Sequence, residues 1–208
     1  AAWKTPDSGA APPSRRTPAQ WRRGRRAAGM SARRGGVYIG LGANLGDPAR
    51  QLIRALGQLQ LDGAVRVLRC SACYRTAPWG RLDQPEFANA VVEVDTTLEP
   101  AALVEALLAT ERALGRERDG ERWGPRLIDL DLLLYREREL AQPGCRVPHP
   151  RLVERAFVLV PLAELAPDAL VPGHGSVTQC LQRLPAAELA SARRAADARL
   201  EAAMPPGQ

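Results

Sequence analysis

Lysine is almost absent from this chain: Lys4 is the only one among 29 basic residues. That deficit excludes a phosphate-binding-loop lysine, the strand lysine of protein kinases and a Schiff-base lysine in the folded part. Any phosphate bound here must be held by arginine, backbone amides or metal. Histidine is scarce too, with His149 and His174 alone. The four cysteines do not make a disulfide framework or a zinc site. Cys70 and Cys73 form a C-x-x-C, but they fall in a segment that reads as a strand, where residues three apart face opposite ways. They are read as small packing residues in a reducing cytosol. No apolar run approaches the length of a membrane span. The expectation is a soluble cytoplasmic monomer with no membrane and no nucleic-acid partner.

The formal charge of +6 points toward nucleic acid, but it is unevenly placed. Residues 1–36 carry nine basic residues and one acid, which leaves residues 37–208 at −2. The body is mildly acidic, so the basic total says nothing about its substrate. Residues 1–36 are rich in Ala, Pro, Gly, Ser and Arg without an apolar period, as in a disordered basic extension. Residues 37–185 form one domain, and 186–208 read as a loose C-terminal tail.

Val37–Leu41 predicts a strand, followed by the turn Gly42-Ala43-Asn44-Leu45-Gly46. Asp47 and Pro48 suit the N-cap and first position of a helix reaching about Leu61. Its apolar residues Leu52, Ile53, Leu56 and Leu59 recur at helical spacing. The glycines Gly40, Gly42 and Gly46 are spaced one residue too widely for a dinucleotide fingerprint, and Asp62 precedes the next strand instead of ending it. Val65–Tyr74 predicts a second strand, Arg75–Glu86 a polar loop bearing Trp79, and Phe87–Asp95 a third strand. A second helix runs from near Pro100 to Leu114, with Leu103, Leu107, Leu108 and Leu114 inward, and Gly115 closes it. Arg116–Arg126 is a second long loop, and Leu127–Tyr135 the fourth strand. Strand, helix, strand, strand, helix, strand predicts an α+β, ferredoxin-like βαββαβ sandwich. Extra C-terminal helices follow at about Arg155–Leu165 and Val177–Leu184.

The fourth strand carries the chemistry. Side chains two apart on a strand share a face, so Asp129 and Asp131 point together while Ile128, Leu130 and Leu132 enter the core. Two such carboxylates repel unless a cation sits between them. A hard divalent ion such as Mg2+ takes oxygen ligands and shares them with substrate phosphates. Arg122 and Arg126, in the Trp-bearing segment just upstream, suit those phosphates. The plainer alternative is an edge strand whose solvent face is acidic. With an aromatic and an amide on a separate strand and loop, the layout is one of phosphoryl transfer to a flat substrate. The residues alone name neither that substrate nor the phosphorus attacked. A different ATP-dependent transferase and a small-ligand or RNA-binding module remain as rivals, although an acidic face without metal repels RNA.

Arg122-Trp123-Gly124-Pro125-Arg126 followed by Asp129-Leu130-Asp131 resembles the signature of the hydroxymethyldihydropterin pyrophosphokinases of folate synthesis. Gly42–Gly46, Tyr74-Arg75-Thr76, Asp83-Gln84-Pro85 with Phe87 and Asn89, and Val147-Pro148-His149 extend the resemblance over about residues 37–183. It implies transfer of the pyrophosphoryl group of ATP to the hydroxymethyl group of the dihydropterin, releasing AMP. It implies that Asp129 and Asp131 ligate two Mg2+ ions. By the same resemblance Arg116 and Arg126 hold the ATP phosphates, with Arg118 auxiliary. Glu111 and His149 contact the nucleotide, and Arg155 a phosphate. Asn89 reads the pterin edge, Phe87 and Phe157 sandwich it, and Thr76 and Trp79 line its pocket through the loop backbone. Ala77, Trp79 and Pro150 depart from the bacterial pattern, where Pro, Leu and an aromatic are the respective expectations.

Overall fold

Two-residue alternation in three strands, broken once in the last of them, builds the centre of the protein. The computed structural model describes residues 35–78, 83–116, 125–195 and 200, all within the compact unit Arg33–Gln208. β1 (Val37–Ala43), β4 (Phe87–Thr96) and β5 (Asp129–Tyr135) form the middle of one antiparallel sheet. β2 (Val65–Cys70) and β3 (Tyr74–Thr76) pair in succession with the far side of β4. β10 (Arg193–Arg194) adds to β3, giving the order β10-β3-β4-β1-β5 with β2 beside β4.

One sheet face buries Val37, Ile39, Leu41 and Ala43 of β1, Ala88, Ala90, Val92 and Val94 of β4, and Leu130 and Leu132 of β5. Against it pack α1 (Pro48–Gln60) and α2 (Pro100–Ala113) through Leu52, Leu56, Leu59, Leu103 and Leu107. Asp47 caps α1, accepting from the Arg50 backbone N–H at 3.1 Å, and Pro48 occupies the first turn. α2 ends at Gly115, whose φ of 88° is open to glycine at little cost. Leu108 and Leu114, expected inside, are only partly buried.

The opposite face receives α3 (Ala156–Leu165) and α4 (Val177–Gln182), which bury Tyr38, Val91, Leu133 and Leu134. A register shift sets Tyr38 opposite Leu134 and Ile39 opposite Leu132, so Leu133 is an extra residue on β5. Its carbonyl accepts from the His149 backbone N–H at 2.9 Å. The hairpin of β6 (Leu140–Gln142) and β7 (Cys145–Val147) leads to that point through a cis Val147–Pro148 bond. A 3-10 turn at Leu152–Glu154 then leads into α3. The two-residue strands β8 (Leu170–Val171) and β9 (Gly175–Ser176) precede α4, and α5 (Ala186–Ser191) follows it. No described helix is long and apolar enough to cross a membrane.

Two expectations need correction. The second strand is not continuous from Val65 to Tyr74. It breaks at Ser71–Cys73, where the buried Ser71 hydroxyl takes the Val91 N–H at 3.0 Å and donates to Ala72 O at 2.8 Å. The segment after 185, read as a loose tail, carries α5 and β10 and places Leu200 in the main core. Residues 1–34 lie outside the described residues.

Candidate active site

The face of the sheet that carries α3 is left open beside the start of that helix, and the sheet side chains there are those that alternation turns outward. On β4 these are Phe87, Asn89 and Val91; on β1, Gly40 and Gly42; on β5, Asp129, Asp131 and Leu133. Gly42 lies between Asn89 and Asp129, and Gly40 between Val91 and Asp131. The central strand therefore contributes no side chain to the floor, and a cleft runs across it from β3 to β5. Thr76, Ala77, Arg126, Arg155 and Phe157 complete its walls.

A Cβ on Gly42 would lie 3.1 Å from Asn89 Oδ1, and one on Gly40 3.3 Å from Leu133 Cδ2. Both are tighter than ordinary contact, so the floor admits glycine best. Asn89 is buried, and its Nδ2 donates to Thr76 Oγ1 at 2.8 Å. Thr76 sits at the end of β3, not in a loop, and its hydroxyl accepts from Asn89. Phe157, on the first turn of α3, lines the same cleft as Phe87. The Arg155 guanidinium carbon stands 5.4 Å from the Phe157 ring centroid.

The other end is a set of charges. Arg116 Nη1 donates to Asp129 Oδ1 at 2.6 Å and to Glu111 Oε1; Arg126 Nη1 donates to Asp129 Oδ2. Burial works against the charge on Arg116, but Asp129 and Glu111 hold its pKa above the usual value. Glu111 is only 2% exposed. Its Oε1 also accepts the Leu130 N–H at 2.7 Å, so this carboxylate faces inward and orients Arg116 and the start of β5. Asp131 has no arginine at ion-pair distance among the described residues. Burial, then the Asp129 charge, pushes its pKa up to about 6, against the pull of Arg155, Arg126 and Arg116. His149 Nε2 lies 3.9 Å from Asp131 Oδ2. Its Nδ1 accepts the Arg151 N–H at 3.2 Å, which leaves the hydrogen on Nε2. Burial, then the neighbouring Arg155, lowers the His149 pKa to about 4, so the ring is neutral near pH 7. Arg155 is held below its usual pKa chiefly by burial. Among the described residues its Nε is buried without a hydrogen-bond partner, a polar atom of the kind that costs stability until an acceptor arrives.

Asn44 is the site residue that motif reading left without a role. It is 1% exposed. Its Oδ1 accepts the Arg126 N–H at 2.7 Å, and its Nδ2 donates to Gln84 Oε1 and Pro85 O at 3.1 and 3.2 Å. One amide thus joins the β1–α1 turn to the loop before Phe87 and to the arginine before Asp129. A polar residue in the turn directly after a core strand was the available signal. Arg118, Arg122 and Trp79 lie outside the described residues. Of the other expected residues, Thr76, Phe87, Asn89, Arg126, Asp129, Asp131, Arg155 and Phe157 line one cleft. Arg116 and Glu111 support it from β5's side, and His149 stands beside Asp131.

Comparison with known proteins bears on this arrangement. Residues 38–167 match the family described as 7,8-dihydro-6-hydroxymethylpterin-pyrophosphokinase. A 2-amino-4-hydroxy-6-hydroxymethyldihydropteridine pyrophosphokinase of Methylorubrum extorquens is 48% identical over 148 residues, 71% of this chain and 92% of that protein. The protein of the same name from Pseudomonas aeruginosa is 44% identical over 149 residues, 72% of this chain and 91% of its own. A solved structure described as HPPK-DHPS in complex with substrates superposes with a TM-score of 0.54 at 12% identity, covering 72% of this chain and 43% of that one. A Plasmodium falciparum HPPK-DHPS gives 0.55 at 12% identity, covering 74% and 46%. These two structures share the fold, and the match spans less than half of either.

Proposed function

Because the chain belongs to the 7,8-dihydro-6-hydroxymethylpterin-pyrophosphokinase family, we propose that it transfers the pyrophosphoryl group of ATP to the hydroxymethyl group of 6-hydroxymethyl-7,8-dihydropterin in folate synthesis. The hydroxyl oxygen attacks the β-phosphorus, the bond to the α-phosphate oxygen breaks, and AMP leaves. The observation that carries the reading is the division of one cleft: rings and an amide at one end, carboxylates and guanidinium groups at the other.

At the first end Asn89 reads the edge of the pterin, and Phe87 and Phe157 stack on its faces. Thr76 fixes the Asn89 amide by taking one of its hydrogens, which orients the remaining donor and acceptor for the ligand. The glycine floor lets a flat ring approach the backbone.

At the second end, paired carboxylates on one strand face suit a hard cation that takes oxygen ligands. Asp129 and Asp131 would hold Mg2+, two ions by family resemblance. Bound there, the metal would neutralise phosphate charge and polarise the attacked phosphorus. Arg116 and Arg126 occupy both Asp129 oxygens; on nucleotide binding they exchange Asp129 for phosphate oxygens, which frees that carboxylate. Arg155 offers its unpaired Nε to a phosphate. Neutral His149 offers Nε2–H to the nucleotide, and Arg118 joins the phosphates from the neighbouring loop. Trp79 closes the pterin end. Guanidinium groups held in place beforehand by carboxylates and packing stabilise developing negative charge better than mobile ones in water would.

The strand order supports a ferredoxin-like sandwich with added C-terminal helices. On this reading the catalytic domain starts at about residue 37 and runs past 185 to take in β10, residues 1–36 are an extension outside the chemistry, and the protein works as a cytoplasmic monomer. Phosphorus NMR of the chain with Mg-ATP and the hydroxymethyl pterin tests the activity. AMP and a pterin diphosphate are expected. Formation of ADP, or no turnover, would overturn the reading.

A further inference from the structure

We propose that β10 and the residue after it, Arg193-Arg194-Ala195, form a clasp that positions the pterin end of the cleft. The inference rests on the reading of that end as the pterin site. None of the three residues lines the cleft, and all lie beyond residues 38–167, the part that matches the family.

The clasp touches β3 and α3, which carry Thr76 and Phe157, and the residue that precedes Phe87 on β4. Through its backbone, Arg193 sits opposite Arg75 and Arg194 opposite Tyr74, and the Ala195 N–H donates to Cys73 O at 2.8 Å. Without these rungs β3, three residues long, is an exposed edge joined only to β4, and Thr76 ends it. The Arg193 side chain pairs with Glu86, the residue before Phe87. Arg194 Nη2 lies 3.9 Å from Glu164 Oε1 on α3, the helix that carries Phe157. Glu164 in turn accepts the Ala72 N–H at 3.1 Å and the Tyr74 hydroxyl at 3.0 Å. Burial, then this carboxylate, pushes the Tyr74 pKa up to about 12, so the phenol stays protonated and keeps donating. The Arg193–Glu86 pair is 66% and 41% exposed and contributes little by itself; the backbone rungs carry most of the effect. Ala195 packs on the main core, and Leu200 is buried in it, which holds the segment from its far side.

The residues act on the pterin through Thr76, Phe87 and Phe157, so they are positioning residues. Ala195→Pro removes the donor to Cys73 O, and Ala195→Ser retains it. For both variants and the unaltered chain, the pterin Kd, Mg-ATP Kd, pterin KM, kcat and melting temperature are measured. Ala195→Pro is expected to raise the pterin Kd and KM roughly fivefold, about 1 kcal/mol, with Mg-ATP Kd and kcat within about twofold. Ala195→Ser should match the unaltered chain. Arg193→Ala with Arg194→Ala keeps the backbone rungs but removes the links to Glu86 and Glu164; it should raise the pterin Kd about threefold and leave the Mg-ATP Kd unchanged, and it stands in if Ala195→Pro does not fold. A lower melting temperature with unchanged pterin affinity, or equal weakening of both ligands, would overturn the clasp. Failure of the unaltered chain to bind pterin would instead overturn the proposed function.

Discussion

Replacing Asp131 by Asn isolates charge from shape at the centre of the site. Asp131 faces the Asp129 carboxylate on the same strand, and its pKa stands at about 6 against an ordinary 3.8. A carboxyl raised in the folded state binds its proton more tightly there than in the unfolded chain. Its contribution is therefore neutral below about pH 3.8, and stability falls as pH rises toward about 6, staying reduced above it. Taken at face value the rise is worth about 3 kcal/mol. The side chain is 40% exposed, and solvent screening reduces the figure to about 1–2 kcal/mol. Without metal, Asp131→Asn should therefore melt above the unaltered protein at pH 7.5, by about 3–6 °C at this chain length. At pH 4 the two should nearly coincide. If Asp131 holds the metal as proposed, turnover with Mg-ATP should fall at least ~10²-fold, because the ligand's charge is lost. The assay is thermal melting in chelator across pH 4–8, paired with steady-state rates. A lower melting point at pH 7.5, or a difference that does not change with pH, would refute the electrostatic argument. Near-normal turnover would refute the metal assignment.

Arg155→Met removes a buried guanidinium whose Nε lacks an acceptor; melting in the absence of ligand should be no lower, while the Mg-ATP Kd measured by calorimetry rises at least ~10-fold. Phe87→Ala should raise the pterin Kd by about 1–3 kcal/mol, the worth of stacking on a nucleobase, and leave the ATP affinity alone; unchanged pterin binding in a folded variant would make Phe87 mere wall. His149, with its pKa lowered to about 4, should keep the proton-NMR shift of a neutral ring down to about pH 5, and a midpoint near 6.5 would contradict its burial beside Arg155. A chain starting at Met30 should turn over and melt like the full one, and a large loss of either would give residues 1–29 a part in the fold or the chemistry.

Much of the site was legible because it is written in two-residue alternation. Asp129 and Asp131 face outward while Leu130 and Leu132 face the core, and Phe87, Asn89 and Val91 share one side of β4 for the same reason. Alternation failed beyond Leu132, where the extra residue Leu133 brings two consecutive leucines to the α3 side. It failed again at Ser71, whose hydroxyl meets the backbone of β4 in place of a main-chain rung. Glu111 was assigned only by resemblance, yet it falls four and eight residues after the buried Leu107 and Leu103. An acid in an apolar helix stripe marks a buried partner. β10 was not legible because it joins the sheet through backbone groups, which leave no hydropathy pattern. Asn44 needed the fold, because its partners lie forty and more residues away.

The bare floor under Gly40 and Gly42 bears on inhibition and escape. A compound that lies flat on that floor meets main chain, which substitution cannot remove. Any side chain introduced at residue 42 crowds Asn89 Oδ1 and any at residue 40 crowds Leu133; if Asn89 reads the pterin as proposed, a blocking change at 42 would disturb the pterin's recognition along with the compound's. The charged end offers no such protection, since arginines 116, 126 and 155 present only side chains. Compounds built outward from the pterin footprint across the glycines should therefore select resistance more slowly than those that lean on the phosphate arginines.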